Sequence, residues 1–226
     1  MKVTYYGHSS FLVEAGGKKL LFDPFIKGNP LASKIDVSKI IADYILISHA
    51  HSDHVGDALE IAGHNDATII GPNEVVNWFL KKGVKNGHNM GQGGFIKFDF
   101  GKVRLVNAIH SSQFQDGSPG GNPAGFVIET TDGNFYHSGD TALTMDMQLI
   151  PTRTRLNFAL LCIGGNYTMD IEDAVSASDF IECDKIVGMH YNTFPVITIN
   201  KKEATSLFEK NGKELILMEI GETRDL

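Results

Sequence analysis

Ser48-His49-Ala50-His51-Ser52-Asp53-His54-Val55 places four metal-capable side chains within six residues, and the rest of the chain reads as its support. Three imidazoles held close together repel once protonated, whereas a bound cation turns their lone pairs into ligands. His49 and His51, two apart, point the same way only on an extended backbone. Asp53 and His54, being adjacent, point in different directions. That arrangement suits two neighbouring metal ions better than one. Immediately upstream, the apolar run Tyr44 to Ile47 has the pattern of a strand buried on both faces, and it delivers the chain to His49.

Further out, Val3 to Tyr6, Ser10 to Glu14 and Lys19 to Asp23 read as three short strands, with Gly16-Gly17 as a hairpin turn and Pro24 as a stop. Gly56 to Gly63 reads as a helix, Thr68 to Ile70 as a strand, and Pro72 to Lys82 as a helix stopped by Gly83. Strands follow at Phe95 to Phe100 and Lys102 to Ile109, the latter ending at His110. Ser111 to Ala124, with its glycines and prolines, is an irregular loop of the kind that borders binding sites. Gly125 to Glu129 and Asn134 to His137 form a hairpin across Asp132-Gly133, and Gly139-Asp140 lies in the turn beyond it. Thr144 to Ile150 reads as helical, Asn157 to Ile163 as a buried strand, Asp170 to Ile181 as a helix, and Lys185 to Met189 as a strand ending at His190. A helix at Lys201 to Lys210 and a strand at Glu214 to Met218 close the chain. No linker or low-complexity tract divides it, so residues 1–226 are expected to form one α/β domain. Both halves run from a strand meander into strand-helix units, which points to two sheets packed face to face with helices outside.

Hydrophobic residues at 42% and charged residues at 21% are ordinary for a soluble globular protein. A net charge of −7 and the lack of a basic run speak against nucleic acid as a partner. No apolar stretch is long enough for a bilayer, and no signal segment precedes the first strand. Cys162 and Cys183 both sit in apolar surroundings and read as buried thiols, consistent with a cytoplasmic setting.

His49, His51, Asp53, His54, His110, Asp140 and His190 each fall just beyond the C-terminal end of a strand, where α/β sheets keep their chemistry. The simplest division gives His49, His51 and His110 to one metal and Asp53, His54 and His190 to a second. Asp140 would bridge the two through its carboxylate oxygens. Spacing permits this division without fixing it.

The motif His49-x-His51-x-Asp53-His54, followed in order by His110, Asp140 and His190, resembles the metallo-β-lactamase superfamily over almost the whole chain. Gly7-His8-Ser9, Tyr136 to Thr141, Ile163 to Asn166 and His190 to Phe194 are similar to a branch of small stand-alone hydrolases akin to ascorbate-6-phosphate lactonase. The resemblance implies an αββα four-layer sandwich, two mixed sheets flanked by helices, with two divalent metal ions at one edge. Zinc is the first choice, and manganese or iron would also be accommodated. True β-lactamases of the superfamily usually carry Cys where this chain has Asp140, so antibiotic hydrolysis is not implied. A homo-oligomer is expected from the resemblance alone.

A dinuclear centre implies a metal-activated hydroxide attacking a small soluble substrate, with a lactone or other ester bond preferred and a phosphoester as the alternative. A non-catalytic small-molecule-binding or redox metalloprotein is the alternative of another class. Asp53 and Asp140 are catalytic candidates through the metals, and Asp53 could also take up a proton. His8 is a candidate for contact with substrate or with a ligand, structural hydrogen bonding being its alternative, and His137 for donating to substrate or orienting a ligand, with a buried structural histidine as its alternative. Asp23 resembles the strand-end aspartate that orients a ligand imidazole. Tyr191 and Asn192 are expected to shape the pocket, and Thr141 to position Asp140. His64 and His88 read as exposed, Trp78 as core, and Arg153 and Arg155 as a surface basic pair rather than a phosphate clamp. The glycines at Gly91 to Gly94 form no dinucleotide fingerprint.

Overall fold

Short apolar runs broken by glycine turns become two seven-stranded mixed sheets. The computed structural model describes residues 1–226. In the first half, β1 (Lys2–Gly7), β2 (Ser10–Ala15) and β3 (Lys18–Phe22) form an antiparallel meander. Then β4 (Tyr44–Leu46), β5 (Thr68–Pro72) and β6 (Asn86–Met90) add in parallel. Helices α1 (Ser52–Val55) and α2 (Ala58–Asn65) follow β4, and α3 (Asn73–Lys81) follows β5. The second half repeats the plan. Strands β7 (Ile96–Phe98), β8 (Gly101–Asn107), β9 (Ala124–Thr130) and β10 (Gly133–His137) are antiparallel. Strands β11 (Phe158–Cys162), β12 (Lys185–Met189) and β13 (Glu214–Ile216) continue the sheet in parallel. Helix α4 (Ile171–Phe180) precedes β12 and α5 (Lys201–Lys210) precedes β13. A last strand, β14 (Thr223–Asp225), returns to the first sheet antiparallel to β1.

The layering follows from strands that bury both faces. In β3, Leu20 and Phe22 enter the large core between the sheets, while Leu21 faces the smaller core beneath the helices. In β4 the same alternation sends Leu46 inward and Ile45 outward, against Ile61, Val75, Val76 and Phe79 of α2 and α3. On the other side, Ala174 and Ala177 of α4 and Ala204 and Phe208 of α5 join the larger core. This is the expected αββα sandwich. No helix is long and apolar enough to cross a membrane.

Several local expectations are corrected. Residues 86–90, Asn-Gly-His-Asn-Met, pair with β5 as an edge strand, so His88, which reads as exposed in the sequence, is half-buried and packs edge-on against Phe98 at 4.9 Å. Strand β14 is too short and polar to show a period. The stretch 144–150 is a 3-10 turn at Met145–Leu149 rather than an α-helix. The helix expected at 56–63 is α2, shifted to Ala58–Asn65, and a separate helical turn before it, α1, already contains Asp53 and His54.

Both cysteines are buried, as the apolar context implies. Burial, with the Asp140 carboxylate adding to it, pushes the Cys162 thiol up to about 11. A thiol that is neither ionised nor accessible does not react. Incubation with an aromatic disulfide reagent at pH 8 should therefore label neither cysteine in the native protein and both after denaturation; rapid native labelling would contradict the packing.

Candidate metal centre

Six loops meet at one edge of the sandwich because β1, β3, β4, β8, β10 and β12 all end there, followed by His8, Asp23, His49, His110, Asp140 and His190. Three of these residues carry left-handed backbone: His8 (φ 56°), Asp23 (φ 40°) and His190 (φ 57°). Such conformations are costly for non-glycine residues and cluster at functional sites. The loops are tied to one another, His190 N–H donating to His8 O at 3.0 Å and Ile109 N–H to Thr141 Oγ1 at 2.9 Å. Gly164 lets its loop pass close to His190, since a Cβ there would lie 2.1 Å from His190 O.

Asp140 is the hub. Its Oδ2 lies 2.9 Å from His190 Nε2, 3.3 Å from His54 Nε2, 3.6 Å from His110 Nε2 and 4.0 Å from His49 Nε2. One oxygen, not both, faces the four imidazoles. Its turn is set by Gly139 (φ 60°), where a Cβ would meet Ala124 O at 2.8 Å. Around this hub the structure gathers His49, His51 and His110 in one group and His8, Asp53, His54 and His190 in another, donor atoms within 4.8 Å of one another in each. His49 Nε2 and His51 Nδ1 are 3.0 Å apart, and Asp53 Oδ2 lies 3.9 Å from His190 Nε2 and 4.0 Å from His54 Nε2.

Behind the donors, Asp23 is wholly buried and accepts hydrogen bonds from Ser48 N–H (2.8 Å), Ser48 Oγ–H (2.6 Å) and His54 Nδ1–H (2.8 Å). With its proton on Nδ1, His54 turns the Nε2 lone pair toward Asp140. Ser48 Oγ also accepts from His49 Nδ1–H at 2.9 Å, which frees His49 Nε2 in the same way. Ser48 was not among the sequence candidates, although its place directly before His49 was the available signal.

Electrostatics sort the imidazoles. Burial, helped by neighbouring imidazoles, holds His49 well below its ordinary value and lowers His51 and His110 as well. Burial acts the same way on His54, but the Asp140 and Asp23 carboxylates outweigh it and raise that group. Burial would push Asp140 up, yet the His190 and His54 imidazoles hold it well below the carboxylate range. Three atoms here have no hydrogen-bond partner although buried: Asp140 Oδ1, His54 Nε2 and His190 Nδ1. Buried lone pairs left unsatisfied cost about 1–3 kcal/mol each. Unpaired lone pairs on a converging nitrogen and oxygen donor set fit divalent metal ions, and the set contains no thiolate.

The other candidates separate. His8 belongs to the site: its Nε2–H donates to Asp53 Oδ2 at 3.1 Å, and its Nδ1 accepts from Thr193 Oγ1–H at 2.9 Å. Burial, opposed by Asp53, holds His8 at about 4, so it is a neutral donor near pH 7. Thr193 was missed because nothing local marks a hydroxyl 185 residues from its partner. His137 takes the structural alternative. It is fully buried against Phe22, its Nδ1 accepts from Gly139 N–H at 3.1 Å, and its Nε2–H donates to Ser9 O at 3.3 Å. With both nitrogens on backbone it contacts neither substrate nor a ligand; it holds the turn that presents Asp140. Asn192 Oδ1 accepts from Ile199 N–H and shapes its own loop.

The loop at 111–124 is held at two points. Ser112 Oγ accepts from Ala50 N–H at 3.2 Å, and Ser111 Oγ lies 3.2 Å from His51 Nε2. Farther along, Phe114 stacks on Trp78 of α3 at 4.2 Å, and Trp78 Nε1–H donates to Asp116 at 3.0 Å. Trp78, expected in the core, is thus a half-buried clamp on the loop. It is the chain's single tryptophan. Phe114→Ala should bare one face of the indole, shift its emission to the red and, because the ring is buried, cost about 3–5 kcal/mol, with metal content unaltered. Unchanged emission would show that the stack does not persist in solution.

A family model described as the beta-lactamase superfamily domain matches residues 2–190. A UPF0173 metal-dependent hydrolase of Flavobacterium johnsoniae is 56% identical over 226 residues, the full length of both chains. Another, of Methylacidiphilum infernorum, is 41% identical over 223 residues, covering 99% of each. Among solved structures, Igni18, a novel metallo hydrolase from the hyperthermophilic archaeon Ignicoccus hospitalis, superposes with a TM-score of 0.89 at 38% identity, covering 100% of this chain and 98% of the other. An isothiocyanate hydrolase from Delia radicum gut bacteria shares the fold (TM-score 0.81, 19% identity, covering 100% and 99%).

Proposed function

The chain belongs to the beta-lactamase superfamily, alongside the UPF0173 metal-dependent hydrolases, and on that footing we propose that it hydrolyses a lactone or other ester bond of a small soluble substrate at a centre of two divalent metal ions. The observation that carries this reading is Asp140 Oδ2, placed within 4.0 Å of four imidazole nitrogens that come from both donor groups.

His49, His51 and His110 would hold one ion and Asp53, His54 and His190 the other, with Asp140 shared. Zinc fits this nitrogen-rich set best, and manganese or iron fits its carboxylates. Divalent metal supplies Lewis acidity, which lowers the pKa of water and favours negative charge on the oxygen under attack. The chain's own residues hold and orient. Asp23 and Ser48 fix the tautomers of His54 and His49, and His8 fixes Asp53 through Oδ2. With its two nitrogens engaged by Asp53 and Thr193, His8 orients Asp53, and any proton exchanged with a departing group would be carried by the Asp53 carboxylate itself. Asp53 and Asp140 pair only with histidines. No lysine or arginine joins them to clamp a phosphate, which favours the ester reading over the phosphoester. The setting we propose is cytoplasmic.

Turnover of lactone, carboxylic ester and phosphodiester panels by the zinc-loaded chain tests this reading, with Asp140→Ala as the control. Lactone or ester turnover above the control is expected. Turnover of phosphodiesters alone, or none above the control, would overturn it.

A further inference from the structure

Three of the chain's four arginines, Arg104, Arg153 and Arg155, lie together on the second sheet's side, away from the metal edge, and none of them forms an ion pair or donates a side-chain hydrogen bond. This is unusual in a chain with a net charge of −7, where carboxylates are plentiful. The nearby acids are already engaged: Glu129 takes Lys102 Nζ at 3.3 Å on one oxygen and Thr154 Oγ1–H at 2.8 Å on the other, and Asp146, which lines the same cleft as Arg104 and Arg153, accepts from Asn107 Nδ2–H at 2.7 Å. Arg104 is the informative member. It projects from the middle of β8, with Val103 and Leu105 on either side entering the core, and only 8% of its surface is exposed. Its stem is buried while its guanidinium opens into a cleft without a protein acceptor, and a second cation beside it adds repulsion. Arg104 and Arg153 approach the same Phe95 ring, at 5.7 and 5.6 Å from its centre, and the ring offsets part of that repulsion. Both line one cleft of about 460 Å³, together with the Thr152 and Gln92 side chains; Arg153 is shared with an adjoining cleft that holds Lys97 and Arg155.

We propose that this cleft binds a dianionic phosphate group of a small molecule, at a site separate from the metal centre. Two guanidinium groups present planar donor forks that match phosphate oxygens, and their combined charge matches a dianion. The cleft's volume is that of a small-molecule site. Nucleic acid would need a longer basic track than these few side chains provide. None of the residues gathered at the metal edge lines this cleft, and the inference stands whether or not the proposed reaction is correct.

Calorimetric titration of the metal-loaded protein with pyrophosphate at low ionic strength tests the site, with metal content measured afterwards. Saturable one-to-one binding is expected. Arg153→Gln, at an exposed position that tolerates substitution, should weaken it about tenfold or more, as should Arg104→Gln. Binding should persist after the metal is stripped from the chain, which separates this site from phosphate capture at the metals. Lack of binding at millimolar pyrophosphate would overturn the proposal, as would wild-type affinity in Arg153→Gln or loss of binding on removal of the metal. An Arg153-dependent dimer that pyrophosphate does not dissociate would also overturn it, because the arginines would then be meeting a second copy.

Discussion

Asp23→Ala is expected to lower metal affinity about 10- to 100-fold and to destabilise the metal-free fold by about 3–5 kcal/mol. The residue touches no proposed metal position, yet three buried donors converge on its carboxylate: Ser48 N–H, Ser48 Oγ–H and His54 Nδ1–H. Removing it leaves them unsatisfied and withdraws one of the two carboxylates that raise His54. Freed from Asp23, His54 can move its proton to Nε2 and point a donor rather than a lone pair at Asp140. Ser48 loses its anchor too, and with it the orientation of His49. Asp23→Asn sharpens the test, because the amide keeps the shape but presents a donor where His54 needs an acceptor. Its stability should fall less than that of the alanine variant while its zinc affinity falls as far. Competition with a chelating dye measures the affinity and thermal unfolding the stability. Wild-type affinity in both variants would show that His54 does not depend on Asp23.

Asp140→Ala is expected to lower turnover about a thousandfold, the equivalent of roughly 4 kcal/mol of transition-state stabilisation. Among the carboxylates only Asp140 lies close to imidazoles of both groups, so its loss uncouples them while leaving three imidazoles in one and His8, Asp53, His54 and His190 in the other. Each group could still hold an ion, which makes the variant informative: chemistry should fall further than metal content. Asp140→Glu should not restore the rate, since the longer side chain cannot place its oxygen at the same point in a turn built on Gly139. Steady-state kinetics beside elemental analysis reads both quantities. Full activity in Asp140→Ala would remove the carboxylate from the centre of the mechanism.

The fold and the donor set were legible for one physical reason. Strands buried on both faces are continuous apolar runs, and their ends are abrupt, so Tyr44 to Ile47 and Lys185 to Met189 announced where His49 and His190 would emerge. The meander followed by strand-helix units, seen twice, foretold two sheets. What lacked such contrast was missed. Strand β6 is a polar edge, and β14 is three residues long. His137 sits at a strand end like the site residues, and only its two backbone partners distinguish it. Ser48, Thr193 and Arg104 owe their significance to partners, or to a lack of partners, that become visible only in three dimensions.

The central claim is that one edge of this sandwich holds two metal ions around a shared Asp140. Loading the chain with zinc, removing the excess and measuring metal per chain by elemental analysis tests it most directly. Two equivalents per chain are expected, and Asp140→Ala should retain fewer under the same wash. A single equivalent at full occupancy, unchanged by Asp140→Ala, would contradict it.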